Sequence, residues 1–194
     1  MQKTSYCRMT GIKHFFRAGL LLCLGFLLPG CSGGKSTAHI PAVKDFDPHA
    51  YMGLWYEIAR VPNSFEKDLT HVTAEYSLGK DGKIKVLNAG MKNGKIKQTE
   101  GVAKLTENTS TGELKVSFFK PFYAPYRIIL LEADYSAAVI CGDTDAYLWI
   151  LSRTPEMPGE KLQKYLDWMK QQGLPVEQLE YPDQSGRKPH DPGN

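Results

Sequence analysis

The sequence predicts an all-β fold, an eight-stranded antiparallel up-and-down barrel with one C-terminal α-helix packed outside it. Eight short segments of β-type composition follow one another from residue 51 onward, and turn residues separate them. Closing such a meander into a barrel removes the exposed strand edges. One amphipathic segment follows the last strand and predicts the helix.

Turn chemistry sets the limits of the predicted strands. Asp81-Gly82 and Asn93-Gly94 provide the positive φ angles of tight hairpins, and Ser110-Thr111-Gly112 and Gly142-Asp143 mark two further turns. Charged and apolar residues alternate in several segments, which gives each of these strands one wet and one dry face. The predicted strands are Leu54–Val61, Val72–Leu78, Lys83–Asn88, Ile96–Leu105, Glu113–Phe119, Tyr126–Asp134, Ala137–Cys141 and Tyr147–Ser152.

The predicted helix runs from Pro158 to Gln172. Pro158 suits its first turn, and Gly173 suits its C-terminal stop. The sixth and eighth strands are apolar on both faces, so we expect this helix to cover their outer side. Its apolar residues recur at three- and four-residue spacing, at Leu162, Tyr165, Leu166 and Met169.

Residues 1–30 have the composition of a lipoprotein signal peptide. A basic start precedes an apolar run from Ala18 to Leu28, which is shorter than the roughly 20 residues that a membrane span needs. The junction Leu28-Pro29-Gly30-Cys31 resembles the bacterial lipobox, in which the cysteine is acylated and becomes the first residue of the mature protein. We therefore expect lipidation at Cys31, and residues 31–46 are predicted to comprise this cysteine and a flexible tether.

The residue after the cysteine indicates where the protein resides. Ser32 at this position resembles the outer-membrane address of bacterial lipoproteins. The expected location is the cell outer membrane, with the protein held by its lipid anchor and facing the periplasm.

Composition limits the partners and the covalent framework. The predicted signal carries four of the 24 Lys and Arg residues, so 20 remain against 21 Asp and Glu residues. A near-neutral body without a basic stripe predicts no nucleic-acid partner, because such binding depends on neutralising phosphates. Once Cys31 is acylated, Cys141 has no partner for a disulfide. Residues 47–181 are predicted to form one domain held by its core, and residues 182–194 a disordered tail.

Three short motifs resemble those of the lipocalin family. Gly53-Leu54-Trp55-Tyr56 resembles the Gly-x-Trp motif that opens the first lipocalin strand. Ala133-Asp134-Tyr135 is similar to the segment between the sixth and seventh strands, and Leu151-Ser152-Arg153 to the end of the eighth. The resemblance covers residues 47–181, and the stretch from Tyr56 to Pro62 is similar to the branch of bacterial lipocalins and apolipoprotein D.

The resemblance assigns structural roles to the motif residues. In the family, an indole from the first strand plugs the closed end of the barrel beneath an arginine from the last strand. When these roles are carried over to this sequence, Trp55 is the plug and Arg153 lies across its ring as a cation–π contact. Gly53 lets the chain approach closely at this end, and Asp134 and Tyr135 fix the neighbouring turn.

The resemblance also implies a cavity that holds a fatty acid or a lysophospholipid, for storage or transport of lipids in cell-envelope maintenance or stress. Side chains alternate along a strand, so an inward Trp55 and the match to the family predict which residues line the cavity. No cofactor is implied. The predicted ligand-binding residues are Ala59, Ala74, Val86, Val116, Phe118, Tyr126, Ile128, Val139, Tyr147 and Trp149.

Two features of the sequence have more than one interpretation. Glu57 is also predicted to face inward. A charged carboxylate there is costly unless it is paired or hydrated. Its partner is either Arg127 or water near the closed end. The segment from Phe119 to Tyr126 is predicted to be an aromatic loop. It is either a hydrophobic lip at the mouth or a contact with a membrane or with a second copy of the chain, as in a homodimer.

Two alternatives to a lipid-binding protein follow from the sequence. A few lipocalins act as isomerases through a cavity thiol, and Cys141 is a candidate for that position. Such a nucleophile needs a nearby cation or base, and no His or Lys is placed there by sequence, so we predict that the protein is not an enzyme. The other alternative is a structural envelope lipoprotein with an empty barrel. The histidines do not cluster at metal-binding spacing, so no metal site is predicted.

Overall fold

The computed structural model describes residues 33–186. The predicted signal peptide, the predicted lipidation site Cys31 and residues 187–194 of the predicted tail lie outside the described residues. Within residues 33–186, no helix combines the length and the hydrophobicity needed to cross a membrane.

Eight antiparallel strands form a closed barrel in which each strand pairs with the next and β8 pairs with β1, which confirms the predicted fold class. A short helix α1 (Pro48–Tyr51) precedes the barrel, and helix α2 (Gly159–Gln171) and a 3-10 turn (Val176–Gln178) follow it. The strands are β1 (Gly53–Arg60), β2 (Thr70–Leu78), β3 (Ile84–Lys92), β4 (Lys95–Leu105), β5 (Glu113–Phe119), β6 (Phe122–Leu131), β7 (Ala137–Cys141) and β8 (Leu148–Ser152).

The tight turns adopt the conformations that their residues favour. Asn93 and Gly94 join β3 to β4 with φ angles of 53° and 71°, in the left-handed region that an Asn-Gly pair accepts at low cost. β3 continues four residues beyond its predicted end, because its pairing with β4 runs up to this turn and includes Lys92 opposite Lys95.

The barrel has two different ends. The closed end is where β1 begins and β8 ends. The mouth is the opposite end, and it is formed by the loop of residues 61–69 between β1 and β2 together with the β3–β4, β5–β6 and β7–β8 turns.

The aromatic segment before Tyr126 is not a long loop, which corrects the prediction. β6 begins at Phe122, so only Lys120 and Pro121 separate it from β5. Aromatic residues favour strands, and they extend the β5–β6 hairpin toward the mouth. The side chains of Phe119 and Phe122 therefore stand at the tip of a hairpin.

Two hydrophobic clusters lie on the two sides of the barrel wall. The inner cluster fills the barrel and includes Trp55, Ile84 and Ile140. The outer cluster lies between the wall and α2, where Tyr165 and Met169 are buried. As predicted from the two-sided apolar strands, the helix covers the outer face of β8.

The predicted flexible tether is wrong from Lys35 onward. Residues 35–46 form an amino-terminal strap that is bound along the outside of the barrel, with Ile40 buried in the outer cluster and Phe46 in the inner one. Arg127 of β6 donates hydrogen bonds to the carbonyl oxygens of Ile40 and Thr37, at 2.7 and 2.9 Å. The strap is fixed because it supplies both apolar side chains to the clusters and backbone acceptors to a half-buried guanidinium.

The start of the predicted disordered tail is also ordered. The Asp183 carbonyl accepts a hydrogen bond of 2.7 Å from the backbone nitrogen of His71. The Gln184 side chain donates to the carbonyl oxygens of Glu57 and Val72, at 2.9 and 2.8 Å. These bonds satisfy backbone acceptors at the bulges of β1 and β2, where strand pairing is interrupted.

Candidate functional site

A cavity of about 100 Å³ lies inside the barrel. Its charged lining residues are both acids, and most of the others are apolar. The lining consists of Glu57, Glu66, Val72, Thr73, Ala74, Tyr76, Val86, Asn88, Val116, Phe118, Tyr126, Ile140, Trp149 and Leu151.

Six of the ten residues predicted to bind ligand line this cavity. They lie on β2, β3, β5, β6 and β8, at positions that strand alternation turns toward the barrel interior. These six are Ala74, Val86, Val116, Phe118, Tyr126 and Trp149.

Ala59 and Val139 face outward, which corrects their predicted orientation. Both are fully buried in the outer cluster beneath α2. The pairing of β1 with β8 shifts by one residue between Glu57 and Ala59, so a bulge reverses the alternation that begins at Trp55. β7 is apolar at every position, so its sequence has no alternation from which to assign a face to Val139.

Ile128 and Tyr147 also lie away from the cavity. Ile128 is fully buried in the inner cluster, two positions beyond Tyr126 toward the closed end. Tyr147 precedes β8 at the mouth, where its ring is 43% exposed and stacks on Trp149 with the ring centroids 6.3 Å apart. Tyr147 therefore belongs to the rim of the barrel.

The alternation that predicts the ten ligand-binding residues also directs Val72, Tyr76, Asn88 and Leu151 inward, so three lining residues remain unpredicted. Thr73 follows a register shift in β2, and Ile140 lies on the uniformly apolar β7, so alternation gave no guide to either. Glu66 lies in the loop over the mouth, where no periodic pattern applies. One feature of the sequence could have indicated Glu66, namely that it is a charged residue next to the aromatic Phe65 in a loop at the barrel opening.

The closed end is sealed by Trp55. Its side chain is fully buried, and its indole nitrogen donates a hydrogen bond of 2.9 Å to the Tyr51 carbonyl. The Arg153 guanidinium lies 3.9 Å from the centre of the indole ring. It also donates to the carbonyl oxygens of Leu54 and Met52, each at 2.8 Å, so this cation is fully engaged in joining α1 and β1 to the end of β8.

The other motif residues surround this plug. Gly53 has a φ angle of 94°, and a Cβ atom there would stand 3.4 Å from the Arg153 guanidinium. Tyr135 also has a positive φ angle, 57°, and its hydroxyl accepts a hydrogen bond of 2.8 Å from the backbone nitrogen of Asp47. The Asp134 carboxylate accepts a bond of 3.0 Å from the Ser136 nitrogen and so closes the turn before β7.

Three tyrosine hydroxyls form the polar floor of the cavity. The Tyr126 hydroxyl is hydrogen-bonded to those of Tyr51 and Tyr76, at 2.7 and 2.9 Å. Burial raises the pKa of Tyr76 to about 12, and the pKa values of the other two also lie well above the usual value. The floor is therefore neutral and can donate or accept hydrogen bonds.

One carboxylate, that of Glu57, lies on the wall in β1, and the other, that of Glu66, belongs to the β1–β2 loop. Glu57 is paired with Arg60 at 2.7 Å, which answers the question of its partner and rules out Arg127 in this role. Burial raises the pKa of Glu57 well above its usual range, the nearby Glu66 raises it further, and Arg60 opposes both effects. Glu66 accepts a hydrogen bond of 3.0 Å from the indole nitrogen of Trp149.

Cys141 is outside the cavity. Its side chain is fully buried in the outer cluster, and burial raises the pKa of the thiol, an effect that Arg127 opposes. The Arg127 guanidinium lies 3.4 Å from the sulfur but is committed to the strap carbonyls. The cavity-thiol alternative therefore lacks its geometric basis.

An eight-stranded barrel with a plugged base and an internal cavity defines the class of small β-barrels that hold one ligand. Residues 46–184 match the family model of a lipocalin-like domain. The chain belongs to the lipocalin family.

Relatives and solved structures agree with this membership. The outer membrane lipoprotein Blc of Citrobacter freundii is 43% identical over 163 residues, which cover 83% of this chain and 92% of that protein. Apolipoprotein D of Oryctolagus cuniculus is 34% identical over 177 residues, covering 81% and 93%. Insecticyanin from the tobacco hornworm Manduca sexta has a similar fold, with a TM-score of 0.64 at 21% identity over 75% of this chain and 85% of that one.

Proposed function

We propose that this protein holds the acyl chain of a fatty acid or a lysophospholipid in its barrel and thereby stores or carries lipids of the cell envelope. The observation that carries this proposal is the mainly apolar cavity between the neutral tyrosine floor and the acidic wall. Apolar walls with a few placed polar groups suit a molecule with a chain and a head.

The size of the cavity limits how a lipid enters. It encloses about 100 Å³, whereas pockets for drug-sized ligands have about 300 to 1,000 Å³. A long acyl chain therefore requires side chains near the mouth to change rotamer. Phe118 and Trp149 are the large half-buried residues that stand there.

A cavity-filling variant tests the proposal. We expect Ala74→Phe to weaken the binding of a fluorescent fatty acid at least tenfold, or about 1.4 kcal/mol, because the new ring occupies the chain site. The measurement is a fluorescence titration, with native mass spectrometry of gently purified protein to detect bound lipid. Ala138→Ser, which adds a single atom at a buried position of β7 that does not line the cavity, is a matched control for altering the barrel interior.

A wild-type barrel that binds neither fatty acid nor lysophospholipid would contradict the proposal and favour the structural lipoprotein with an empty barrel. Wild-type binding that Ala74→Phe leaves unchanged would place the lipid site somewhere other than this cavity.

We further propose that the preferred head group carries an amine, as in lysophosphatidylethanolamine. The charged side chains in the lining are Glu57 and Glu66, while Arg60 lies behind them. This arrangement disfavours the free carboxylate of a fatty acid and favours a cationic group.

Glu66→Gln tests this preference. Removing the charge should raise the affinity for a fatty acid by about threefold to tenfold and lower that for lysophosphatidylethanolamine by a similar factor. The measurement is competitive displacement of a fluorescent acyl probe by each lipid. Glu180→Gln removes an exposed charge outside the lining and should change neither affinity. Equal shifts for both lipids would contradict a role in head-group choice.

The relatives named outer membrane lipoprotein support an anchored location for this chain. We propose that Cys31 is acylated and that the barrel is held at the outer membrane, facing the periplasm. The experiment is the intact mass of protein extracted from membranes, which should correspond to a chain that begins at acylated Cys31. A chain cleaved at another position and free of lipid would contradict the anchor.

A further inference from the structure

Three phenylalanines on the rim of the barrel are unusually exposed. Phe65, Phe119 and Phe122 are 74%, 76% and 78% exposed, the highest values among large apolar side chains in the described part of the chain. All three stand at the mouth, Phe65 in the β1–β2 loop and the other two at the tip of the β5–β6 hairpin. These two elements lie on opposite sides of an eight-stranded barrel, so the exposed rings flank the opening.

Charged side chains also surround the opening. Lysines stand at the mouth beside the exposed acids Asp68, Asp143, Glu180 and Asp183, and Lys92 is paired with Asp68 at 3.2 Å. The lysines at the mouth are Lys35, Lys67, Lys92, Lys95 and Lys120.

The path of the strap provides an independent observation. The strap begins at the mouth, where the Lys35 nitrogen donates a hydrogen bond of 2.7 Å to the carboxylate of Asp145 in the β7–β8 turn. The Lys35 carbonyl accepts a bond of 2.9 Å from the Asp145 nitrogen. Three residues separate Lys35 from Cys31, and the four Cα–Cα steps between them span at most about 14 Å. A lipid on Cys31 therefore holds the mouth, and not the closed end, next to the membrane.

We infer that the mouth docks on the phospholipid surface that carries the protein's own anchor. The three phenylalanines insert at the interface, and the lysines face anionic head groups. The inference rests on the proposed acylation of Cys31. It adds an orientation to the proposed function, because the cavity then opens directly onto the membrane and a lipid exchanges without crossing water.

The orientation is measured on the full acylated protein in vesicles of phosphatidylethanolamine and phosphatidylglycerol. An environment-sensitive fluorophore is attached at Phe122→Cys on the mouth or at Leu78→Cys near the closed end, while the buried Cys141 does not react. We expect brominated acyl chains to quench the label at position 122 about threefold more than that at position 78. Equal quenching, or stronger quenching at position 78, would overturn the inference.

The same labels distinguish a membrane from a second copy of the chain. If two mouths pack against each other, donor- and acceptor-labelled copies at position 122 show energy transfer and brominated lipids do not quench them. That result would overturn the inference in favour of a dimer.

Lipid transfer provides a second readout. Replacing Phe65, Phe119 and Phe122 together by serine should slow the transfer of a fluorescent fatty acid from the vesicle to the protein about tenfold. The affinity in solution should stay unchanged, since none of the three lines the cavity, and Leu78→Ser is the control. An unchanged transfer rate would overturn the docking and leave the proposed function intact. A wild-type protein that binds neither a fatty acid nor a lysophospholipid would refute the proposed function, while the quenching pattern would still decide the orientation.

Discussion

Arg60→Ala is expected to lower the free energy of unfolding by about 3–5 kcal/mol at about pH 8, because it leaves the Glu57 carboxylate buried without its cation. Both side chains are almost completely buried, and they approach within 2.7 Å. Glu180 is the other acid near Arg60, but it is half-exposed and lies 3.5 Å away. Chemical denaturation of both proteins across pH provides the measurement.

The loss should depend on pH in a defined direction. The pKa of Glu57 is raised by burial in the folded protein, and removing Arg60 raises it further. A carboxyl group with a raised pKa binds its proton more tightly in the folded state, so its contribution is fully stabilising below the unfolded pKa of about 4.3. That contribution disappears as pH rises through the folded pKa. The variant should therefore be closest to wild type near pH 4 to 5.

A second substitution separates charge from packing. Glu57→Gln in the Arg60→Ala background removes the buried charge and should restore most of the pH-dependent loss. What remains is the loss of the hydrogen bonds that Arg60 donates to the Glu66 and Leu69 carbonyl oxygens, at 3.0 and 3.4 Å, and of its contact with Glu180. A loss of stability that is the same at every pH, and that Glu57→Gln does not restore, would show that the ion pair is not its cause.

Trp55→Ala is expected to destabilise the fold by about 3–5 kcal/mol, the usual range for removing a fully buried aromatic side chain. The indole contacts the Tyr51 ring at a centroid distance of 4.8 Å and lies under the Arg153 guanidinium. Its removal opens a void at the base of the barrel and removes a cation–π contact. Thermal and chemical unfolding, followed by circular dichroism, measure the change.

Two further tryptophan variants calibrate this value. Trp55→Phe keeps an aromatic ring and loses the hydrogen bond to the Tyr51 carbonyl, so we expect a cost of about 1–2 kcal/mol. Trp168→Ala removes a half-buried indole from α2 and should cost about 1 kcal/mol. If Trp55→Ala costs no more than Trp168→Ala, the plug does not hold the closed end together.

Strand positions followed closely from the sequence for β5 and β7, whereas β3 runs four residues beyond its predicted end up to the Asn93-Gly94 turn. β5 and β7 have the predicted bounds, because the turn at residues 110–112 and that at Gly142 limit them. Asn93 and Gly94 adopt the positive φ angles that their residue types predict. Local backbone preferences were sufficient to predict the bounds of these strands and the conformation of this turn.

Whether a side chain points into or out of the barrel was harder to predict, because the orientation depends on strand register. One extra residue in β1 turns Ala59 outward, and no residue type at the bulge marks it in the sequence. Val139 lies in a strand that is buried on both faces, so periodicity carries no information there. The motif residues Trp55 and Arg153 were placed by resemblance, and their contact is a long-range one that no local pattern encodes.

The strap was missed for a different reason. Its small and polar residues resemble those of a linker, and this composition outweighed the isolated apolar residues Ile40 and Phe46. These two side chains are buried, and they mark where the segment binds the barrel. An isolated apolar residue within a linker-like stretch deserves to be interpreted as a docking point.

With Cys31 acylated as proposed, the docked strap would control how much free chain separates the barrel from its anchor. With the strap bound, four Cα–Cα steps join Cys31 to the first contact of the strap at Lys35, and they reach about 14 Å. Release of the strap as far as Phe46 would lengthen this free chain to fifteen Cα–Cα steps, which reach about 50 Å. Effective concentration falls roughly as the −3/2 power of chain length, so the barrel would be about sevenfold more dilute at the membrane surface. For a barrel anchored as proposed, the hydrogen bonds of Arg127 to the strap would therefore set its local concentration at the membrane.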